Sequence, residues 1–105
     1  MDVSLLYFDA CPNWRTTDER LARLATEDPT LRVARRRVET AAEAERLGFH
    51  GSPSIHVGGV DIFAAPGAAV GLSCRIYHTP DGPAGAPTTA QLRSALHLPP
   101  DEDDA

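Results

Sequence analysis

The sequence predicts an α/β fold with the element order β-α-β-α-β-β-α, and three kinds of pattern predict it. Short apolar runs rich in Val, Ile, Tyr and Phe are typical of β-strands. Apolar residues at helical spacing, with charged residues between them, indicate amphipathic helices. Two threonine-led capping boxes and one Gly-Gly pair mark where helices begin and where a hairpin turns.

In the first half of the chain, residues 3–8 form a nearly continuous apolar run, which predicts a central strand covered on both faces. A helix is predicted from Trp14, and Asp28-Pro29 ends it because the residue before a proline disfavours the α region. Residues 31–38 are predicted to form a second strand. The run Arg35–Arg37 within it indicates a solvated sheet edge, with anion binding as the alternative.

In the second half, a capping box at residues 40–43 predicts a short helix that ends at Gly48. The β-type runs on either side of Gly58-Gly59 predict a hairpin. Residues 64–87 are rich in Gly, Pro and Ala and are too long for an ordinary connection, so they are predicted to be a functional insert. A second capping box, residues 88–91, begins the last helix. Residues 99–105 are predicted to be a disordered acidic tail after one domain, residues 1–98.

Length and charge narrow the classes of partner. A chain of 105 residues is enough for one modest core. The net charge of −5 comes mainly from residues 101–104, so the rest of the chain is close to neutral, which argues against nucleic acid or an anionic membrane as partner. The sequence shows neither a signal-peptide pattern nor an apolar stretch of membrane-spanning length, so the expected location is cytoplasmic. Cysteines in a reducing compartment are more often catalytic, redox-sensing or metal-binding than structural.

Cys11 is the first candidate for chemistry. A strand that ran straight into a helix would place Cys11 at the helix N-terminus, where unpaired backbone N–H groups favour a thiolate. Pro12 would then occupy the first turn, where its missing N–H costs nothing. The alternative is that Cys11 is a small buried hydrophobic residue at a strand end.

Two short motifs carry a resemblance to a known family. Residues 11–14, Cys-Pro-Asn-Trp, and residues 52–55, Ser-Pro-Ser-Ile, resemble the Cys-x-x-Cys motif and the cis-proline motif of the thioredoxin-like superfamily. The resemblance covers residues 3–63 and 88–97. Residues 51–77 are similar to small actinobacterial thioredoxin-like proteins, some of which carry the label alkylmercury lyase. The resemblance implies a four-stranded mixed sheet, helices on both faces, and a long insert before the last helix.

The resemblance also implies a reaction, although Trp14 stands where the family keeps its second thiol. Cys11 would be the nucleophile that forms a mixed disulfide, and Cys74 or a glutathione-like thiol would release it. Pro53 would lie beside Cys11 and align an extended substrate backbone by exposing main-chain polar groups, and the insert would emerge on the same side of the sheet. The alternative for Cys74 is that it faces inward with Leu72 and Ile76.

Five further residues are candidates with weaker support. Ser52 lies next to the cis-proline motif, and Trp14 either packs beside the thiol or forms a wall of a substrate groove. Arg75 is a candidate partner for a thiolate or an anionic substrate. Asp9 is either a proton acceptor or a turn former, and His50 either moves a proton or is simply exposed.

These features predict a thiol-dependent oxidoreductase that acts on a protein or small-molecule disulfide or thiol. The first alternative is a binding protein for a thiophilic metal or an organomercurial that uses both sulfurs. The second is a redox-inactive interaction domain. The sequence contains neither a Cys-x-x-Cys pair nor a histidine cluster with ligand spacing, so no structural zinc site and no cofactor are expected. Its patterns leave the oligomeric state open.

Overall fold

The computed structural model of the chain describes residues 1–65 and 67–99. It contains three helices and six strands within these residues. In chain order they are β1 (Asp2–Tyr7), α1 (Trp14–Glu27), β2 (Arg32–Arg37), α2 (Ala41–Leu47), β3 (Ser54–Val57), β4 (Val60–Asp61), β5 (Tyr77–Thr79), β6 (Gly82–Ala84) and α3 (Thr89–Ala95). The predicted acidic tail lies outside the described residues from residue 100 onward.

Four of the strands form a mixed sheet in the order β2-β1-β3-β4. Strand β2 runs parallel to β1, whereas β3 is antiparallel both to β1 and to β4. The hairpin between β3 and β4 turns at Gly58 and Gly59, whose φ angles of 60° and 79° lie in the left-handed region that the tight turn requires. The predicted α/β class, the central first strand and this hairpin are confirmed.

The two faces of the sheet carry separate apolar clusters, because alternate strand residues point to opposite sides. Side chains of β1 and β3 meet α1 and α3 on one face, and the fully buried members of this cluster include Leu5, Leu21, Ile55 and Leu92. On the other face, Leu6 packs with Phe49 and with Ala44 of α2. Helices therefore cover both faces of the sheet.

The predicted solvated edge is confirmed in β2. This strand is at one end of the sheet, and Arg35, Arg36 and Arg37 are all exposed. Arg35 donates to Asp18 of α1 at 2.8 Å, and Arg37 pairs with Glu39 at 2.7 Å. Charged side chains along such an edge discourage pairing with another chain.

The helix ends agree with their sequence signals, with one difference. Thr88 and Gln91 form the complete capping box predicted for α3, and Gly48 ends α2 at a φ of 66°. At the start of α2 the Thr40 side chain accepts from the Glu43 N–H at 3.1 Å, as predicted. The Glu43 carboxylate, however, accepts from the Glu39 N–H instead of the Thr40 N–H, so that capping box is only half formed.

Helix α1 begins at Trp14 as predicted, but the expectation that Cys11 lies at its N-terminus is wrong. A turn separates the helix from β1. The Cys11 N–H donates to the Phe8 carbonyl at 3.0 Å and closes that turn. Cys11 and Pro12 therefore precede the helix, and Pro12 lies outside its first turn.

The insert of residues 64–87 contains structure that the sequence analysis did not predict. Strands β5 and β6 pair antiparallel, and residues 80 and 81 connect them. Residues 80–82, Pro-Asp-Gly, are a turn signal. Strand β4 is also shorter than the β-type run of residues 60–63 that follows Gly58-Gly59 in the sequence. It ends at Asp61 because the Asp61 carboxylate accepts from the Phe63 N–H at 2.9 Å and bends the chain. None of the helices in the described residues is both long and apolar enough to cross a bilayer.

Shortening a buried side chain of the central strand should destabilise the fold. Leu5 is fully buried in the main cluster, so Leu5→Ala should lower the free energy of unfolding by roughly 2–5 kcal/mol. Val60, 64% exposed on an edge strand, supplies the control, and Val60→Ala should cost less than about 1 kcal/mol. Urea denaturation without reductant measures both, and equal losses would contradict this placement of the core.

Candidate functional site

Cys11 lies in the turn between the central strand and α1. Its side chain is fully buried. The Cys11 Sγ atom lies 3.9 Å from the Ser52 carbonyl oxygen and 3.8 Å from the Asn13 side-chain nitrogen, which can donate a hydrogen bond to it. The sequence analysis did not single out Asn13, since a lone Asn after Cys-Pro is a common turn residue.

Cys74, in the insert, forms a disulfide with Cys11. The two Cα atoms are 5.7 Å apart, although 63 positions separate the residues in the sequence. Cys74 itself is exposed. The inward-facing alternative for Cys74 is therefore wrong, and the bridge joins one buried cysteine to one exposed cysteine.

The segment Ser73–Arg75, which we call the strap, lies against Ser52 as a short parallel β-bridge. The Ser52 N–H donates to the Ser73 carbonyl at 2.8 Å, and the Arg75 N–H donates to the Ser52 carbonyl at 3.0 Å. At Gly51, whose φ is 106°, a Cβ would come within 3.1 Å of both Ser73 and Arg75. A glycine at this position is therefore required for the close approach of the strap.

The peptide bond between Ser52 and Pro53 is cis, and both residues are buried. The resemblance implied that main-chain polar groups here would be exposed to an extended substrate. The structure differs, because the strap takes both main-chain groups of Ser52. The Pro53 carbonyl accepts from the Tyr77 hydroxyl at 2.5 Å.

Arg75 anchors the strap to the sheet. Its Nη1 atom donates to Asp61 Oδ2 at 2.6 Å and to Ser54 Oγ at 3.1 Å, and the guanidinium lies over the Tyr77 ring at 4.7 Å. The Arg75 and Asp61 side chains are only 11% and 3% exposed. This guanidinium is thus engaged within the protein, in contrast to the thiolate or substrate partner that the sequence suggested.

Asp61, Ser54 and Tyr77 complete this polar cluster, and the sequence analysis did not include them among the site residues. A carboxylate inside the apolar run Val60–Phe63 was the available signal, since a buried charge needs a partner. Burial raises the pKa of the Tyr77 hydroxyl above its ordinary value, so Tyr77 stays a neutral donor to Pro53.

The remaining predicted residues surround the bridge more loosely. Trp14 stacks on Tyr7 with ring centroids 4.2 Å apart, and Pro12 is exposed. His50 is partly buried, and its Nδ1 atom lies within hydrogen-bond distance, 3.1 Å, of the Ala69 carbonyl of the insert. Asp9 is exposed, and its Oδ2 atom lies 4.0 Å from the Nη1 atom of Arg37. Proton transfer by Asp9 or His50 stays a prediction.

His56 lies in β3 and is directly opposite Asp61 in the register of β4. It is 5% exposed, and its Nε2 atom makes no hydrogen bond to the part of the chain that the structure describes. Burial lowers the pKa of His56 below its ordinary value of 6.5, and the nearby Asp61 carboxylate opposes that shift only in part. The folded protein therefore favours neutral His56.

The lowered pKa of His56 predicts a pH-dependent loss of stability. Above pH 6.5 His56 is mostly neutral in both states, so its burial costs little, whereas below pH 6.5 the unfolded chain binds the proton more readily than the folded chain. The free energy of unfolding should fall as the pH drops from 7.5 to 5.5, and His56→Gln should make that fall smaller. His78→Gln, at an exposed histidine, is the control for urea denaturation at each pH. Equal pH dependence in both variants would contradict this role of His56.

Within residues 1–65 and 67–99, no three His, Cys, Asp or Glu side chains come together in the manner of a metal site. In comparisons with known proteins, no family model, curated protein or solved structure matches this chain. The bridge between a buried and an exposed cysteine, beside a cis-proline, is thus the feature on which a function can be argued.

Proposed function

We propose that this chain is a thiol–disulfide oxidoreductase of thioredoxin-like type, with the Cys11–Cys74 bridge as its redox couple. The observation that carries the proposal is the position of the bridge. It joins the turn after the central strand to an exposed residue of the insert, next to the cis Ser52–Pro53 peptide. An exposed disulfide partner is open to exchange with outside thiols, which a buried structural bridge is not.

The fold supports the thioredoxin-like part of the proposal. The resemblance implies a four-stranded mixed sheet, and the observed sheet is of this kind, with the order β2-β1-β3-β4 and β3 antiparallel to β1. It brings the end of β1 and the start of β3 to one end of the sheet, where Cys11 and Pro53 lie. The strap reaches the same end after β4, which makes an exchange between Cys11 and Cys74 geometrically direct.

Access decides which sulfur reacts first. An incoming thiolate, RS⁻, can reach Cys74 but not the fully buried Cys11. Attack on Cys74 Sγ forms an R–S–Sγ bond and breaks the bridge, and Cys11 leaves with the electron pair as a thiolate. The Asn13 side-chain amide lies near enough to donate to that thiolate. A second RS⁻ then attacks the sulfur atom attached to R in the mixed disulfide, forms RSSR and releases the Cys74 thiolate. The two protons of the two RSH molecules pass to Cys11 and Cys74.

In the reverse direction the reduced protein reduces a disulfide. The Cys74 thiolate attacks RSSR and releases one RS⁻, and Cys11 then attacks Cys74 Sγ, re-forms the bridge and releases the second RS⁻. These roles are the opposite of the sequence prediction, because Cys74 becomes the residue that meets the substrate and Cys11 the resolving thiol. Two electrons move in each cycle, and no metal or cofactor is required.

Reduction of the folded protein is the first test. We expect the bridge to equilibrate with a glutathione redox buffer in the absence of denaturant, with the far-UV circular dichroism retained. Trapping with an alkylating agent followed by mass spectrometry would count the reduced cysteines at each buffer ratio. A bridge that is reduced only after denaturation would be a structural crosslink and would contradict the proposal. Stable retention of Hg(II) or Cu(I) by a reduced protein that fails to exchange would point instead to metal binding.

The single-cysteine variants form a matched pair that tests the assignment of roles. Cys11→Ser keeps the exposed thiol, and Cys74→Ser keeps the buried one. With glutathione disulfide as the probe, Cys11→Ser should form its mixed disulfide at least about tenfold faster, because exchange depends on access to the sulfur. Intact-mass spectrometry over time measures both rates. An equal or faster reaction of Cys74→Ser would make Cys11 the nucleophile, as the sequence suggested.

A further inference from the structure

The strap occupies the position at which an extended peptide would pair with this protein. A peptide that adds to a sheet edge needs free N–H and C=O groups there, because backbone hydrogen bonds supply much of its affinity. Next to Cys11 those groups belong to Ser52. The N–H of Ser52 is bonded to Ser73, its carbonyl is bonded to Arg75, and the residue is fully buried.

Contacts other than the disulfide hold the strap in place. Arg75 donates hydrogen bonds to Asp61 and Ser54. Two residues further along the chain, the Tyr77 hydroxyl donates to the Pro53 carbonyl. Tyr77 also packs edge-on against Phe63 at a centroid distance of 5.4 Å. None of these contacts involves a sulfur atom, so breaking the S–S bond does not itself remove any of them.

A small molecule can approach the solvent-facing side of the bridge without forming backbone hydrogen bonds. Cys74 is exposed, and Ile76 beside the strap is 67% exposed. A small molecule can therefore approach Cys74, whereas a peptide approaching it finds the main-chain groups of Ser52 already taken. The two backbone hydrogen bonds that Ser52 could otherwise give to an extended substrate are lost.

We infer that the substrates of the Cys11–Cys74 couple are low-molecular-weight thiols and disulfides, and that the strap excludes extended polypeptides from the Ser52 edge. This inference rests on the proposed oxidoreductase function. In each turnover one small disulfide RSSR and the dithiol protein give two RSH molecules and the bridged protein, so two electrons and two protons pass from the cysteines to the substrate.

Amide hydrogen exchange tests whether the strap stays in place after reduction. The Ser52 and Arg75 amides are the two donors between the strap and the edge. We expect their protection factors, measured by NMR in the oxidised and reduced protein, to differ by less than roughly tenfold. A larger loss of protection on reduction would mean that the edge opens to peptides, and it would overturn the inference.

Exchange kinetics test the substrate class directly. The reduced protein is mixed with bis(2-hydroxyethyl) disulfide or with the disulfide dimer of a short cysteine peptide, and each rate constant is divided by that of free N-acetylcysteine with the same disulfide. We expect no advantage for the peptide in the wild-type protein. A clear peptide advantage would overturn the inference, whereas failure to exchange with either disulfide would overturn the proposed function instead.

A variant that loosens the strap should change the preference. Arg75→Ala removes the anchor to Asp61, and the ratio of peptide to small-disulfide rates should rise by roughly fivefold to thirtyfold, as expected for one or two recovered hydrogen bonds. Arg35→Ala, which removes the exposed pair with Asp18, is the matched control and should leave the ratio unchanged. A folded Arg75→Ala protein with the wild-type ratio would count against the strap. Should that variant fail to fold, the wild-type ratio and the amide exchange decide the question by themselves.

Discussion

The buried ion pair between Arg75 and Asp61 is the contact on which the arrangement of the site depends. It joins the insert to the last strand of the sheet, and both side chains are almost inaccessible to solvent. Replacing such a pair by apolar residues can be harmless, but removing one partner leaves an uncompensated buried charge and costs about 3–5 kcal/mol. The pair therefore fixes the strap at one position, and with it the main chain on both sides of Cys74.

On the proposed function, this anchoring lets the disulfide serve as a redox couple as well as a crosslink. Closing a loop of 63 positions stabilises the folded state by about 4 kcal/mol through the entropy of the unfolded chain, and reduction gives up that contribution. The ion pair, the Tyr77–Pro53 hydrogen bond and the backbone bonds to Ser52 involve no sulfur atom. On the proposed function they hold Cys74 beside Cys11 after reduction, so that the two thiols meet at a high effective concentration.

Sequence patterns predicted those parts of the fold that depend on interactions between residues close together in the chain. The apolar run of β1, the glycine pair before β4 and the threonine that begins α3 all act within a few residues. The site depends on contacts between distant residues, which no spacing rule encodes. Neither the exposure of Cys74 nor the pairing of Arg75 with Asp61, 14 positions away, could be read from the sequence. The position of Cys11 ahead of α1 was missed because the signals for a strand end and a helix start lie only a few residues apart.

The bonds that the strap makes to Ser52 would also prevent extended segments of other proteins from pairing beside a reactive sulfur. An unpaired strand edge captures extended segments of other proteins, and a thiol beside such an edge would join them covalently. Here the segment that carries the exposed Cys74 also bonds both main-chain groups of Ser52, through Ser73 and Arg75. On the proposed function, selection between small and extended substrates then requires no binding pocket, because it follows from which backbone groups are already bonded when the sulfur reacts.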